Sequence, residues 1–292
     1  IDPGQAPLLP MTTRLAYHVV VHALEARAGW TPVRRFAAAV QHSLGGHLPY
    51  SRYLSAGAEA QRRRSSESSV QRWVGEWLST DVNPVIQTMG RLTVPANTAW
   101  ALNAYTRSAQ VGVRTTIALP SAASQQLQVQ RELLASHTDP ALCRAGVVST
   151  MEALLAQTRN QAQGATAIGY RSLSGLARGL GMERLAAAQL ATVFETQGPL
   201  PIPLAARALG CHQRTLERRL REEGLTAEAV RQSVRLLNAT HDLRGPRSLT
   251  DIAHHAGFSD LSHMSRAFGA ACGMAPSLLR QAAQGGLVPE AA

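Results

Sequence analysis

The sequence contains no lysine, so arginine supplies all of its positive side-chain charge. The basic residues number 29 against 19 acidic residues, which gives a formal net charge of +10. A basic balance suits a protein that binds nucleic acid or another anionic surface. The charge is not concentrated, because residues 184–292 carry 12 arginines and 9 acidic residues. Net charge therefore does not locate the region that would bind an anionic partner. The absence of lysine supports no further inference, because a GC-rich genome alone favours arginine codons over lysine codons.

Cysteine and long apolar runs are also scarce. Cys143, Cys211 and Cys272 are odd in number and form no CxxC spacing. This excludes a disulfide framework or a structural zinc site and indicates a reducing compartment. No apolar stretch approaches the ~18 residues of a membrane span, and no arginine-led signal peptide is visible. We therefore expect a cytoplasmic protein with no membrane partner.

The sequence lacks the motifs of common enzymes. It has no P-loop, no GxGxxG after a strand and no Ser-His-Asp grouping. His18 and His22 have the i, i+4 spacing of a metal pair, but the residues between them are all valine, with no glutamate to act as a base. His42 and His47 could add ligands only through the tertiary fold. We expect ordinary helix histidines, no metal, no cofactor and no enzyme activity.

The N-terminal part shows helical rather than strand periodicity. Apolar residues recur at helical spacing, and Thr31-Pro32 has the form of an N-cap followed by a first helical residue. Helices are predicted over 13–28, 31–44, 70–78 and 139–158, and strands over 92–94 and 111–119. The sequence thus predicts a mainly helical region with minor β, ending within the glycine cluster of residues 160–182. The stripe on 141–158 indicates either a dimer contact or an internal core helix.

Two similar segments stand in the C-terminal part. They are LGCHQRTLERRL (209–220) and GFSDLSHMSRAF (257–268). Each places a glycine before a short helix of the pattern apolar-x-Arg-x-apolar, centred on Arg218 and on Arg266. A glycine turn between a positioning helix and an amphipathic helix is typical of a helix-turn-helix unit. The repetition therefore predicts two DNA-reading units in one domain.

In the first unit we predict a recognition helix over 213–222. Leu216 and Leu220 form a buried i, i+4 pair, so the remaining side chains point outward. Arginine binds guanine through two parallel hydrogen bonds in the major groove. We expect base contacts from Gln213, Arg214, Glu217 and Arg218. Arg219 and Arg221 are candidates for phosphate contacts, with a Glu217–Arg221 ion pair as the alternative.

In the second unit, Ser248 and Asp251 form a capping box, with the aspartate reaching back to the start of its helix. Ser259 is expected to cap the following helix, with Asp260 in its first turn. Met264 and Phe268 form the buried pair of that helix. The candidates for base contact are Leu261, Ser262, Ser265 and Arg266.

One helix over 227–243 is predicted between the two units, capped by Thr226. A helix of ~17 residues spans about 25 Å and would hold the two units in neighbouring major-groove segments, about one helical turn apart. This spacing predicts a bipartite DNA site. Arg231 and Arg235 on this helix are candidates for phosphate contacts.

Residues from about 183 to 283 resemble the C-terminal domain of the AraC/XylS family of bacterial transcription regulators. GFSDLSHMSRAF carries the most specific part of the resemblance, supported by GMAPSLLR (273–280) and RTLERRLREEG (214–224). Three positions depart from the family: His212 replaces a capping serine, Gly269-Ala270 replaces a basic pair, and Leu279 replaces an aromatic residue. The resemblance implies a sequence-specific regulator of transcription whose partner is double-stranded DNA.

The family's N-terminal domains sense a small molecule, dimerise, or do both, often as a β-jelly roll, which the helical patterns here do not support. The resemblance thus makes a small-molecule effector, a second copy of the chain and, for an activator, RNA polymerase candidate partners. We predict a regulatory or dimerisation region over 1–182, a double helix-turn-helix domain over 183–283 and a tail over 284–292. The alternative function is a ligand- or metal-binding module in the N-terminal region, with the C-terminal domain acting only as a DNA tether.

Overall fold

The computed structural model describes residues 12–13, 16–26, 29–45, 48–108, 113–118, 128–133, 138–163 and 169–284. The protein is mainly α, as predicted, with minor β. The elements up to residue 163 are β1 (Thr12–Thr13), α1 (Ala16–Ala26), α2 (Pro32–Ser43), β2 (Leu48–Pro49), α3 (Tyr50–Arg62), α4 (Glu67–Leu78), α5 (Pro84–Met89), α6 (Pro95–Ser108), β3 (Val113–Ala118), β4 (Gln128–Leu133) and α7 (Ala141–Ala162).

The elements after residue 169 are all helices. They are α8 (Leu173–Gly179), α9 (Ala186–Gln197), α10 (Ile202–Ala208), α11 (Gln213–Glu222), α12 (Ala227–Asp242), α13 (Leu249–His255), α14 (Leu261–Cys272) and α15 (Pro276–Ala283). Among the residues described, no helix has the length and apolar character needed to cross a membrane.

Local capping chemistry sets the start of several helices in the N-terminal region. The Arg34 amide donates a hydrogen bond to Thr31 Oγ1 at 3.2 Å, and Pro32 occupies the first turn of α2. The Ser69 amide likewise donates to Ser66 Oγ before α4. Such caps satisfy amides that have no intrahelical partner. The predicted start of α2 is therefore confirmed.

The strands form two antiparallel pairs, β1 with β2 and β3 with β4. The prediction of a strand over 111–119 is confirmed for β3, whose side chains alternate between buried and exposed. The prediction for 92–94 is wrong, because this segment is a loop that leads into Pro95 at the start of α6. A residue before proline favours extended backbone, but none of the described strands pairs with this segment.

Helix α7 lies inside the N-terminal core, where it packs on α1, α3, α4 and α6. The side chains of Val147, Met151, Leu154 and Leu155 are buried in this core. Interior side chains cannot also form a contact with a second chain. The hypothesis that this stripe mediates dimerisation is therefore wrong, and the alternative of an internal core helix is correct.

The hydrophobic packing crosses the predicted boundary near residues 160–182. Phe36 and Val40 of α2 are fully buried in a cluster formed mainly by α8, α9, α11 and α12. A second cluster joins the N-terminal helices to α13, α14 and α15. The segment with the predicted boundary also contains α8, and Leu173 and Leu176 on this helix are buried. The N-terminal region thus supports both halves of the C-terminal region.

Candidate DNA interface

The first helix-turn-helix unit consists of α10 and α11. Gly210 makes the turn between them with φ of +66°, in the left-handed region that favours glycine. Leu216 and Leu220 are buried, as predicted, and hold α11 against the core that contains Ala205. His212 stands at the N-cap without a side-chain hydrogen bond to the helix. The departure from a capping serine therefore leaves the start of α11 without that stabilisation.

The outer face of α11 is polar and open to solvent. Gln213, Arg214 and Arg218 are exposed, whereas Glu217 is half-buried. Arg218 Nη1 donates a hydrogen bond to Glu222 Oε1 at 2.7 Å, between side chains that are 61% and 60% exposed. An exposed pair of this kind is weak and can exchange for a DNA contact.

The predicted Glu217–Arg221 side-chain ion pair is not formed. Arg221 Nε donates instead to the backbone carbonyl oxygen of Glu217 at 3.2 Å. The Glu217 carboxylate accepts a hydrogen bond from Gln213 Nε2 at 2.6 Å. Spacing alone brings two residues onto one helix face but does not choose between competing partners at that spacing. Arg219 and Arg221 are both exposed on this helix.

The second unit consists of α13 and α14. The Asp251 amide donates to Ser248 Oγ at 3.0 Å, which confirms the serine cap of α13. The predicted return contact differs, because the Asp251 carboxylate accepts from the Ser248 hydroxyl at 2.6 Å rather than from its backbone amide. The turn residue Gly257 has φ of +86°, and a Cβ there would lie 2.1 Å from Pro199 Cγ. Glycine therefore allows the second unit to touch the segment that precedes the first.

The cap of α14 is Asp260, so the prediction that Ser259 caps this helix is wrong. The His263 amide donates to Asp260 Oδ1 at 2.7 Å, while the Ser259 hydroxyl donates to Asp260 Oδ2 at 2.9 Å. These two bonds, led by the His263 amide, hold the pKa of Asp260 below its ordinary value. Both residue types are good caps, and the helix begins one residue later than the sequence suggested.

The two faces of α14 separate as predicted. Met264 and Phe268 are fully buried. Ser262 and Arg266 are exposed, and Ser265 is half-buried. Leu261 is partly buried and packs against the core, so it offers less surface than the other predicted contacts.

Helix α12 bridges the two units, and its cap is the one predicted: the Ala229 amide donates to Thr226 Oγ1 at 3.1 Å. Its arginines are less available than those of α11. The side chains of Arg231 and Arg235 are only 22% and 14% exposed, and both lie near the carboxylate of Glu228. Burial, followed by repulsion from Arg231, lowers the pKa of Arg235.

Helix α2 and its neighbours contact the C-terminal ends of both recognition helices, which sequence reasoning did not predict. Gln41 Nε2 donates to the Gly224 carbonyl oxygen, just after α11, at 3.0 Å. Asn83 Nδ2 donates to the Ala271 carbonyl oxygen in the last turn of α14 at 3.1 Å.

Two further contacts join the end of α2 to the C-terminal region. Gly45 has φ of +70°, and a Cβ there would lie 2.3 Å from the carbonyl oxygens of Ala270 and Ala271. The hydroxyls of Ser43 and Ser233 share a buried hydrogen bond of 2.6 Å, which attaches α2 to α12. The sequence indicated a turn at Gly45. It gave no sign of the contact with Ala270 and Ala271, which lie more than 200 residues away in the chain.

Of the histidines that the sequence offered as metal ligands, three lie in the core, and His47 lies outside the described residues. His18, His22 and His42 are buried together, with ring centroids 5.4 to 6.1 Å apart, and the His22 ring stacks on Trp77 at 4.8 Å. His42 Nδ1 lies 2.9 Å from Asp81 Oδ2. Burial, with repulsion from the other two histidines, holds the pKa of His22 well below its ordinary value. Across the described ranges, no group of three or more histidine, cysteine or acidic side chains could hold a metal ion.

Comparisons with known proteins concern the C-terminal part. Residues 205–282 match the model of a helix-turn-helix domain family. The HTH-type transcriptional activator RhaS of Escherichia coli O157:H7 (strain EC4115 / EHEC) is 42% identical over 74 residues, or 25% of this chain and 27% of RhaS. RhaS of Shigella boydii serotype 18 (strain CDC 3083-94 / BS512) is 41% identical over the same lengths. No solved structure matches the chain.

The matched region spans about a quarter of this chain and of the curated relatives. It contains the described helices from α11 to α14, with both glycine turns and both exposed arginine-bearing faces. Residues 205–282 thus belong to the AraC-type helix-turn-helix family, as the sequence motifs indicated.

Proposed function

We propose that this chain is a sequence-specific DNA-binding regulator of bacterial transcription. The observation that carries the proposal is the pair of recognition helices. Each has two fully buried apolar side chains on one face and exposed hydrogen-bond donors on the other. A helix of this kind fits the major groove and reads base edges there. The relatives matched over this region are transcriptional activators by name.

A bipartite DNA site follows from the bridging helix. Helix α12 has 16 residues and therefore spans about 24 Å. Its core face packs against α2, α5 and α9, which restricts bending between the two units. The contact of Gly257 with Pro199 adds a direct connection between them. We infer that α11 and α14 enter neighbouring major-groove segments on one side of the duplex.

The exposed arginines have distinct proposed roles. Arg218 and Arg266 each stand between two buried apolar residues of the repeated pattern, and we assign base contacts to both. Gln213, Arg214 and Ser262 are exposed beside them and refine the choice of base. The remaining proposed base contacts are Glu217, Leu261 and Ser265, and the proposed phosphate contacts are Arg219, Arg221, Arg231 and Arg235.

The N-terminal region is proposed to control the two helix-turn-helix units. Helix α2 packs on α12, and Gln41 contacts the chain at the end of α11. A ligand or a second copy of the chain that shifts α2 would therefore change the placement of both units. RNA polymerase is a further partner if the chain activates transcription. The relatives are transcriptional activators by name. The alternative is that the N-terminal region acts as a ligand- or metal-binding module and that the C-terminal domain only tethers it to DNA.

Selection from a random duplex library, followed by sequencing, tests this proposal. The full chain is incubated with the library at near-physiological salt, and bound DNA is recovered and sequenced. We expect a motif of two blocks about 10 base pairs apart, centre to centre. A motif in which this pair of blocks occurs twice would indicate that the chain binds DNA as a homodimer.

A matched control for the selection is Arg178→Ala. Arg178 is exposed on α8, outside both units, and its loss should leave the motif unchanged. Binding without any enriched sequence would contradict the proposal and favour the alternative, in which the C-terminal domain only tethers the protein to DNA.

A further inference from the structure

A small cleft lies where the N-terminal region meets the bridging helix. Its polar walls are Gln87 and Arg91 at the end of α5, Arg171 before α8, and Thr240, His241 and Arg244 at the end of α12. Three separate parts of the chain thus bring arginines to one place. Neither the repeated DNA-reading pattern nor the family match accounts for this convergence.

The three arginines of this cleft have no carboxylate partner within the described residues. Arg91 is only 8% exposed, and within the described part of the chain its guanidinium makes one hydrogen bond, from Nη2 to Gln87 Oε1 at 2.7 Å. Of the carboxylates placed in the structure, none lies within ion-pair distance of Arg91, Arg171 or Arg244. Asp242 is close in sequence, but it pairs with Arg247 at 2.8 Å instead. A buried guanidinium without a carboxylate costs free energy that an anion would recover.

The electrostatics of the cluster agree with this geometry. Burial lowers the pKa of Arg91, and repulsion from Arg171 and Arg244 lowers it further. Burial and repulsion from Arg171 also lower the pKa of Arg244. Burial lowers the pKa of His241, to which repulsion from Arg171 and Arg91 adds. The three arginines therefore repel one another at close range, and they disfavour the protonated form of His241.

We propose that this cleft binds the compact oxyanion group, carboxylate or phosphate, of a small molecule. Guanidinium groups match both anions with paired hydrogen bonds. Gln87 Nε2 donates one hydrogen to the Asp81 carbonyl oxygen and keeps a second N–H for the anion. The cleft is small, so only oxygen atoms of one such group would enter it, and the rest of the ligand would lie outside. A DNA backbone phosphate is the other source of this chemistry. The burial of Arg91 and its position in the N-terminal region favour a small molecule.

The bound anion would join α5 to α12. Arg91 belongs to the N-terminal region, and Arg244 directly follows the bridging helix that connects the two DNA-reading units. Occupation would therefore hold the bridging helix against the N-terminal region. The site itself rests on the charges of the cleft, whereas any effect on DNA reading rests on the proposed function. If the anion changes DNA affinity, DNA must change anion affinity by the same factor.

The test is thermal unfolding of the full chain without DNA, in inorganic phosphate or citrate and in chloride of equal ionic strength. We expect either anion to raise Tm of the native chain by about 5 °C at one hundred times its Kd. Arg171→Gln and Arg244→Gln should abolish most of this rise. Both variants should also keep or increase Tm in chloride, because each removes repulsion. Arg178→Gln, which removes an exposed charge elsewhere, should behave as the native chain does.

Three results would overturn the proposed anion site. The first is that neither anion raises Tm of the native chain more than chloride does, and the second is that both anions raise Tm of the variants as much as that of the native chain. The third is that both variants have a lower Tm than the native chain in chloride, as expected for arginines with a structural role. A fourth result identifies the other source of phosphate. Without anion stabilisation, a fall of about one in the salt slope of DNA binding on Arg244→Gln would make the cluster a DNA backbone contact. Because stabilisation is measured without DNA, its loss and a failure of DNA reading remain separate results.

Discussion

At the scale of the residue, Arg218 and Arg266 carry the central assignment. In the free chain, Arg218 is bonded to Glu222, and this exposed pair must open before the guanidinium can reach a base. Exposed pairs of this kind contribute about 0–1 kcal/mol, which is less than a good bidentate base contact contributes. The pair therefore orients the side chain without blocking it.

Replacement of either arginine by alanine should weaken binding to the selected DNA site by about 1–3 kcal/mol. The reason is the loss of two parallel hydrogen bonds to one base. Fluorescence anisotropy with the selected duplex and with a scrambled duplex gives both affinities. Arg178→Ala is the matched control. Equal losses on the two duplexes would show phosphate contacts instead of base contacts.

A second residue-scale prediction concerns His22. Its pKa is lowered by burial, so the folded chain keeps the ring neutral where the unfolded chain protonates it. This contribution to stability is complete above the unfolded pKa of about 6.5 and is lost as pH falls toward the folded pKa. The free energy of unfolding should lose about 1.4 kcal/mol per pH unit from this residue below pH ~6.5.

Urea unfolding of the native chain and of His22→Phe between pH 7.5 and pH 5 measures this effect. Phenylalanine keeps a flat ring beside Trp77, so the variant should fold and show a shallower pH dependence. Identical slopes in the two proteins would contradict the assignment.

At the scale of the element, α12 sets the distance between the two readers. Its ends are defined by the Thr226 cap and by Leu243, and its core face is fixed by α2, α5 and α9. The two recognition helices therefore cannot adjust freely to a DNA site with different spacing.

Insertion of five base pairs between the two blocks of the selected site rotates one block by about half a turn of the duplex. Affinity should then fall to the level of a duplex that carries one block only. Insertion of ten base pairs should not restore it, because α12 cannot lengthen. Titration of these duplexes against the full chain measures the effect. Undiminished affinity for the five-base-pair insertion would exclude a rigid bipartite reader.

The elements also show how far a sequence predicts this structure. Helix α11 lies at the residues predicted, because the pair Leu216–Leu220 and the turn at Gly210 are local signals. Strand β4 was not predicted, because its six residues are mostly polar and are ordered by pairing with β3. The cap of α14 was misplaced by one residue, since serine and aspartate stand side by side there. Periodicity and capping thus predicted most helices, but pairing between distant segments was not visible.

The same limit applies to the candidate site. The outward faces of α11 and α14 follow from spacing within each helix, so the exposed residues on them were predicted. The contacts of Gln41 and Asn83 with the ends of these helices involve partners more than 180 residues away. The cationic cleft likewise joins three distant segments. Such contacts depend on the tertiary arrangement and have no local signal.

At the scale of the whole molecule, the N-terminal and C-terminal regions share their hydrophobic packing. Phe36 of α2 is fully buried among residues of α8, α9 and α12. Phe268 of α14 is buried in the cluster that also contains the N-terminal helices. We therefore expect the two regions to unfold together.

Phe36→Ala tests this coupling. Removal of a buried aromatic ring should lower the free energy of unfolding by about 3–5 kcal/mol. Because the ring packs in the cluster that includes α12, amide exchange should accelerate on α12 as well as on α2. Hydrogen exchange followed by mass spectrometry measures both. Acceleration confined to α2 would show that the regions are energetically independent.

The central claim is that two helices of one domain read two blocks of DNA. Comparison of the sequences selected by the native chain, by Arg218→Ala and by Arg266→Ala tests it most directly. We predict that each variant loses base preference in one block only, and that the two variants lose it in different blocks. Loss of preference in the same block, or an unchanged motif in both variants, would contradict the account.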